Sequence, residues 1–268
     1  MFYYGGGSRR VTFLDEFRGF VIVLMILFHL GYDLVYLFHV DVPFYLSAFV
    51  QRGVQPFIAI SFTLISGVAC RYSHDNIKRG SMVFAIACAM TAVTWFFMRD
   101  QVIWFGVLHM LGASMILFGI FERHKQRNKR ADLLPTFWSM FICLALFILT
   151  YHFSDGIMGL PHISERFCFR LPDHLYRIIW LSPLGLRSPD FFSSDYFPLI
   201  PWIFLFFFGT SMGAIFRRNV MPEFFYRKHF RMLEWLGRHS LVVYVLHQPV
   251  TYGVLLLMFH LLGRFGVL

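Results

Sequence analysis

Charge is scarce in this chain. Asp, Glu, Lys and Arg make up 15% of its 268 residues, against 57% hydrophobic and 20% aromatic. A soluble domain rarely exceeds half apolar, so a soluble enzyme is a poor fit. Cysteine is also sparse. Cys70, Cys88, Cys143 and Cys168 have no close spacing, which argues against a disulfide framework or a metal knuckle. Strict apolar–polar alternation is missing: "FVIVLMILF" and "WIFLFFF" do not read as barrel strands. No small-residue cleavage site follows the first apolar run, so it is expected to stay as a retained helix rather than leave as a signal peptide. No internal repeat is visible.

What is present is a set of apolar runs near the ~20 residues a helix needs to cross a bilayer. Seven spans are expected, over 17–37, 53–71, 81–98, 102–121, 135–153, 198–216 and 239–262, in one domain covering 1–268. The fold class is all-α, a polytopic transmembrane bundle in the cell membrane. The net charge of +9 falls in the connections, so no nucleic-acid partner is expected. Arg9 and Arg10 precede span 1. Arg71, Lys78 and Arg79 follow span 2. Arg123, Lys125, Arg127, Lys129 and Arg130 follow span 4, and a run from Arg217 to Arg238 follows span 6. The positive-inside rule then makes the N-terminus cytoplasmic and places the long segment 154–197 outside. Within it, "DHLYRIIWLSPLG" suggests a brief amphipathic helix with Leu175, Ile178 and Ile179 on one side.

Against this apolar background a few polar groups stand out. Span 1 carries Arg18, His29 and Asp33. His29 falls ~18 Å along the helix from its cytoplasmic end, and Asp33 is four residues on, on the same face. Span 4 carries His109 and span 7 carries His247, followed by Gln248 and Pro249. If spans 1, 4 and 7 adjoin, these residues draw a polar trail through the bilayer. Ionisable groups at membrane depth are functional-site hypotheses by default, and imidazole can serve as base, acid or nucleophile near neutral pH. A neutral histidine bridging two helices is the structural alternative for His109 and His247. Pro249 removes a backbone donor and is expected to bend span 7. Asp195 precedes span 6, where a carboxylate suits the helix N-terminus.

Four stretches together, "FLDEFRGFVIVLMILFHLGYD", "FGVLHMLGASMILFGIFE", "DYFPLIPWIFLFFFGTSMG" and "LGRHSLVVYVLHQPV", resemble the small bacterial branch of the heparan-α-glucosaminide N-acetyltransferase catalytic-domain family. The resemblance spans about residues 9–258. It implies a transmembrane acyltransferase that takes acetyl-CoA from the cytosolic side and acetylates a sugar amine on the far side. In longer members the catalytic histidine sits in a loop motif, "HAxWxG". His39 is its counterpart by order here, but the local text is "FHVDVPF", without the tryptophan.

The expected activity is therefore transfer of acetyl from cytosolic acetyl-CoA, a co-substrate, to an extracytoplasmic glycan or lipid-linked sugar, at an amine or a hydroxyl, with no metal. His29, Asp33 and His109 are the catalytic candidates, with Asp33 orienting His29. Asp195, His247, Gln248 and His39 are candidates for the acceptor. Arg18, Arg217, Arg218 and Arg238 are candidates for the phosphates of the donor, because guanidinium forks match phosphate geometry. Arg18 has a second reading, an ion pair with Asp15 at the helix start. Pairing into a homo-oligomer is left open. Buried His and Asp along a path also describe a proton-coupled transporter. The odd number of spans and the absence of matched broken helices count against that alternative.

Overall fold

The computed structural model describes residues 9–127, 136–161 and 168–264. Lys129 and Arg130, part of the charge pattern above, lie outside them. Nine α-helices are present among these residues. Helix α1 (Thr12–Tyr32) continues as a π-helical turn, Asp33–Leu37. A short α2 (Pro43–Leu46) and a second π turn (Val50–Val54) lead into α3 (Gln55–Cys70). Then come α4 (Asn76–Phe97), α5 (Val107–Arg127) and α6 (Thr136–Leu149). After the long connection follow α7 (Leu199–Phe216), α8 (Arg231–Arg238) and α9 (Ser240–Arg264).

Six segments are long and apolar enough to cross a membrane: Thr12–Leu37, Val50–Cys70, Asn76–Phe97, Phe137–Asp155, Leu199–Phe216 and Ser240–Leu262. The protein is a multi-pass, all-α membrane protein. Span 4, expected over 102–121, differs. Its helix starts later, at Val107, and runs on into Glu122, Arg123, Lys125 and Arg127, which dilutes its apolar character.

The chain packs as two compact units. The first holds Arg9–Phe62 and Met221–Leu268, and the second holds Thr63–Val220. In the first unit, Val21, Met25 and Ile58 form a core to which Phe17, Phe28, Phe62 and Tyr244 add their rings. Helix α8 lies tightly along α1. A Cβ on Gly19 would overlap the Leu233 carbonyl oxygen, and one on Gly237 would overlap the Asp15 carbonyl oxygen. Lipid supplies no hydrophobic drive between helices, so close backbone approach at small residues does the packing.

The charged 217–238 stretch, read from sequence only as a basic loop, thus contains a packed helix. Its polar groups are satisfied locally. Glu16 accepts from the backbone N–H groups of His229 (2.6 Å) and Phe230 (3.0 Å), just ahead of α8. Glu234 is buried and pairs with Lys228 (2.6 Å) and Arg238. Burial alone would raise the Glu234 carboxyl; its hydrogen bond with Lys228 and the charge of Arg238 outweigh that and hold it below its usual range.

In the second unit, α3 and α7 cross at Gly67 and Gly209, where the facing helix backbone leaves no room for a Cβ. The connection after α6 is more ordered than its composition suggests. Strands β1 (Ile157–Gly159) and β2 (Cys168–Arg170) pair antiparallel, with Met158 opposite Phe169. The expected amphipathic helix is instead two 3-10 turns, Asp173–Arg177 and Ile179–Leu184. Ile178 between them is extended, with φ −94° and ψ 100°, so the stripe of Leu175, Ile178 and Ile179 is broken.

Candidate functional site

The intramembrane polar residues fall into two groups, one in each unit. In the first unit, α1 and α9 bring His29 and His247 together, with ring centroids 4.9 Å apart. Asp33 is fully buried, at 0% exposure. It does not bond His29. Its Oδ1 accepts from Gln248 Nε2 at 2.6 Å and its Oδ2 from Thr251 Oγ1 at 3.4 Å. The expected Asp33–His29 orientation is thus replaced by an α1–α9 clasp. The reason is local: the helix widens into its π turn at Asp33, a distortion frequent at functional sites. The His29 ring makes no hydrogen bond to any described residue.

His247 is 8% exposed. Its Nδ1 lies 2.6 Å from the Tyr244 carbonyl oxygen. A carbonyl only accepts, so Nδ1 carries the proton and the neutral ring keeps its lone pair on Nε2. Among the described residues that buried Nε2 meets no hydrogen-bond partner, and neither does Oε1 of Gln248, the next residue. Both are acceptors. Native proteins leave few buried polar atoms unpaired, so each of these two acceptors is a candidate partner for a donor brought by a ligand. Helix α9 runs through Pro249 without a break. The single proton of Thr251 Oγ1 has the carbonyls of His247 (2.9 Å) and Gln248 (3.1 Å) within reach as alternatives to Asp33 Oδ2. Thr251 escaped the sequence reading, although its spacing of four from His247 put it on the same face.

The second unit holds His109 and Asp195. Both His109 nitrogens are occupied. The Gly106 N–H donates to Nδ1 (3.3 Å), and Nε2 faces Thr91 Oγ1 (3.3 Å), whose own proton goes to the Ile103 carbonyl (2.6 Å). This is a locked neutral imidazole joining α4 to the start of α5, with no nitrogen free to take a proton.

Asp195 is placed by the sequence as a cap for the helix that follows it. Instead its Oδ2 accepts from the Val107 N–H at 3.2 Å, capping α5 from 88 residues away. Ser193, Ser194 and Phe197 bond to Trp104, Val102 and Phe105 alongside it, and this pairing sets the carboxylate over the helix end.

Burial pushes the Asp195 carboxyl from 3.8 up to about 6, against the opposing pull of the Val107 N–H. The folded protein therefore holds this proton more firmly than the unfolded chain. The stabilising effect is complete below pH 3.8 and is lost as pH rises through 6. Asp195→Asn keeps an acceptor for Val107 and cannot ionise. It is expected to melt with the wild type at about pH 4 and above it at about pH 8. Thermal unfolding in detergent at the two pH values checks this; a gap that does not widen at the higher pH refutes it.

The remaining candidates are dispersed. His39 is exposed and caps the end of the π turn in a left-handed conformation, φ 55°. It takes no part in the His29–His247 group. Arg18 is buried, 3.9 Å from Asp15, which Arg10 binds more closely at 2.8 and 2.5 Å. Arg238 is committed to Glu234. In the second unit Arg217 donates to the Arg71 carbonyl at 3.0 Å, and Arg218 is exposed. Among the described residues no cluster of three or more His, Cys, Asp or Glu side chains is placed to hold a metal ion.

No curated protein and no solved structure matches the chain. The model of the catalytic region of heparan-alpha-glucosaminide N-acetyltransferase does match, over residues 10–249. That match takes in α1 with His29 and Asp33, and α9 as far as Pro249. With six membrane-length apolar helices in place, the chain belongs to the heparan-alpha-glucosaminide N-acetyltransferase catalytic family of transmembrane acetyltransferases.

Proposed function

We propose that this protein moves an acetyl group from cytosolic acetyl-CoA to an amine of an extracytoplasmic sugar, with the His29–His247 pair as its reaction centre. The observation that carries the reading is the buried, unpartnered Nε2 of His247, fixed as a proton acceptor by the Tyr244 carbonyl. The acceptor amine gives up a proton to this nitrogen as its lone pair attacks the thioester carbonyl. The C–N bond forms, the C–S bond breaks, and the thiolate leaves with CoA. Buried acceptors on His247 and Gln248, with Asp33 alongside, favour an amine, which brings several N–H donors, over a hydroxyl, which brings one. His29 stands against His247. His109, with both nitrogens occupied, positions helices rather than protons.

The charge pattern supports a cytoplasmic N-terminus, which would put the basic flank of α1 and α8 towards the CoA phosphates. Arg18 and Arg238 are already paired with carboxylates, so an exposed guanidinium group of the same unit such as Arg231 is the better-placed phosphate ligand.

The test is purified protein in proteoliposomes with acetyl-labelled acetyl-CoA and glucosamine on opposite sides. Labelled N-acetyl product is expected. Movement of intact substrate across the membrane without acetylation would instead establish a transporter. Tighter binding of acetyl-CoA than of free CoA is the accompanying equilibrium measurement.

A further inference from the structure

The connection between α6 and α7 carries an apolar run that acetyl transfer does not use. Ile178, Ile179, Trp180 and Leu184 are all exposed, Trp180 at 86%. Soluble surfaces seldom show so much bulky apolar area in one place. The height of this run is fixed by contacts within the second unit. On one side, Tyr176 Oη donates to the Phe153 carbonyl at 2.5 Å, near the end of the candidate span Phe137–Asp155. On the other, Tyr196 Oη, three residues before α7, donates to the Ser182 carbonyl at 2.6 Å. Between them Gly185, at φ +117°, lies against the first turn of α7. A Cβ there would come within 2.7 Å of the Ile200 carbonyl oxygen and 2.9 Å of the Phe153 ring.

The run is thus tied at both ends to the level where two membrane helices terminate. Ile148, Leu149 and Tyr151 at the end of that same span are exposed as well. Arg170 and Arg177, both exposed, flank it with charges suited to lipid phosphates.

We propose that residues 178–184 lie in the boundary between headgroups and acyl chains, with Trp180 as the anchor. Indole is favoured at that depth because its apolar rings and its N–H find different surroundings there. The segment would fix the height of the α6–α7 connection relative to the bilayer. The occupant of this face is lipid, not a second copy of the chain.

Trp180→Phe isolates the signal, because the difference between wild-type and variant emission reports Trp180 alone among six tryptophans. In vesicles of brominated phosphatidylcholine the difference emission is expected to fall about two-fold or more, as for an indole at the acyl boundary, while aqueous acrylamide leaves it nearly unchanged. Placing a tryptophan at the neighbouring site, Ile178→Trp in the Trp180→Phe background, is expected to behave alike. Quenching by acrylamide alone overturns the proposal by putting the segment in water. Quenching by neither reagent overturns it by showing protein, such as a second copy, over this face.

Discussion

Replacing His247 with alanine is expected to lower acetyl transfer by about 10²–10⁴-fold, the usual contribution of a positioned general base. The membrane bundle should persist. The substitution removes the Nδ1 hydrogen bond to Tyr244, a contribution on the order of 1 kcal/mol, and the ring contacts with His29 and Tyr244, while the helix backbone is untouched. Three readouts separate chemistry from structure. The loss should fall on kcat rather than on acetyl-CoA binding. The variant should lose the limb of the wild-type pH–rate profile that reports protonation of the base. Added imidazole should restore part of the rate, because the truncated side chain leaves a buried space of that shape. Full activity in His247→Ala would move the base to His29, whose alanine variant should then be the inactive one. Asp33→Asn keeps one acceptor oxygen, for Gln248, turns an amide donor towards Thr251 Oγ1 and removes the charge; it is expected to fold and to bind a cationic amine more weakly, measured as a raised KM.

Gly237→Ala is expected to cost more than about 3 kcal/mol, beyond the ordinary range of overpacking. The added methyl would meet the Asp15 carbonyl oxygen, a backbone atom of α1. A flexible side chain can swing aside, but here α8 itself must lift away. Lifting it strips Glu16 of the His229 and Phe230 N–H groups and exposes the Glu234 ion pairs. Gly253→Ala is the matched control. Gly253 sits in α9, and a methyl added there would meet nothing within 4 Å, so the substitution should be neutral or stabilising by up to about 1 kcal/mol. Thermal stability in detergent and the yield of folded protein measure both. Equal behaviour of the two variants would show that the α1–α8 crossing is not close-packed.

The two groups of polar residues differ in how far the text alone foretold them. His29 and Asp33 were legible because four-residue spacing on an apolar helix puts both on one face. The role of Asp33 was not, because its partners Gln248 and Thr251 arrive from 215 and 218 residues away. His109 looked like His247 in sequence: each is a single imidazole in an apolar helix. In the structure one has both nitrogens occupied and the other has a bare Nε2. Asp195 read as a cap and is one, but for α5, since capping depends on which helix end lies nearest in space. The packed helix α8 was hidden in a charged stretch because its carboxylates are neutralised by neighbours that only folding supplies.

By itself the sequence determined that this chain lives in a bilayer as a helical bundle, because a backbone in lipid must satisfy its own hydrogen bonds and long apolar runs without alternation do so only as helices. It also narrowed the chemistry to a few imidazoles and carboxylates, because stray ionisable groups at depth are costly. The tertiary structure decided which of them keeps an unpartnered nitrogen among the described residues. A proton's position on a ring, and whether a lone pair has a partner, depend on contacts between residues far apart in the chain, and those exist only once α1 and α9 have met.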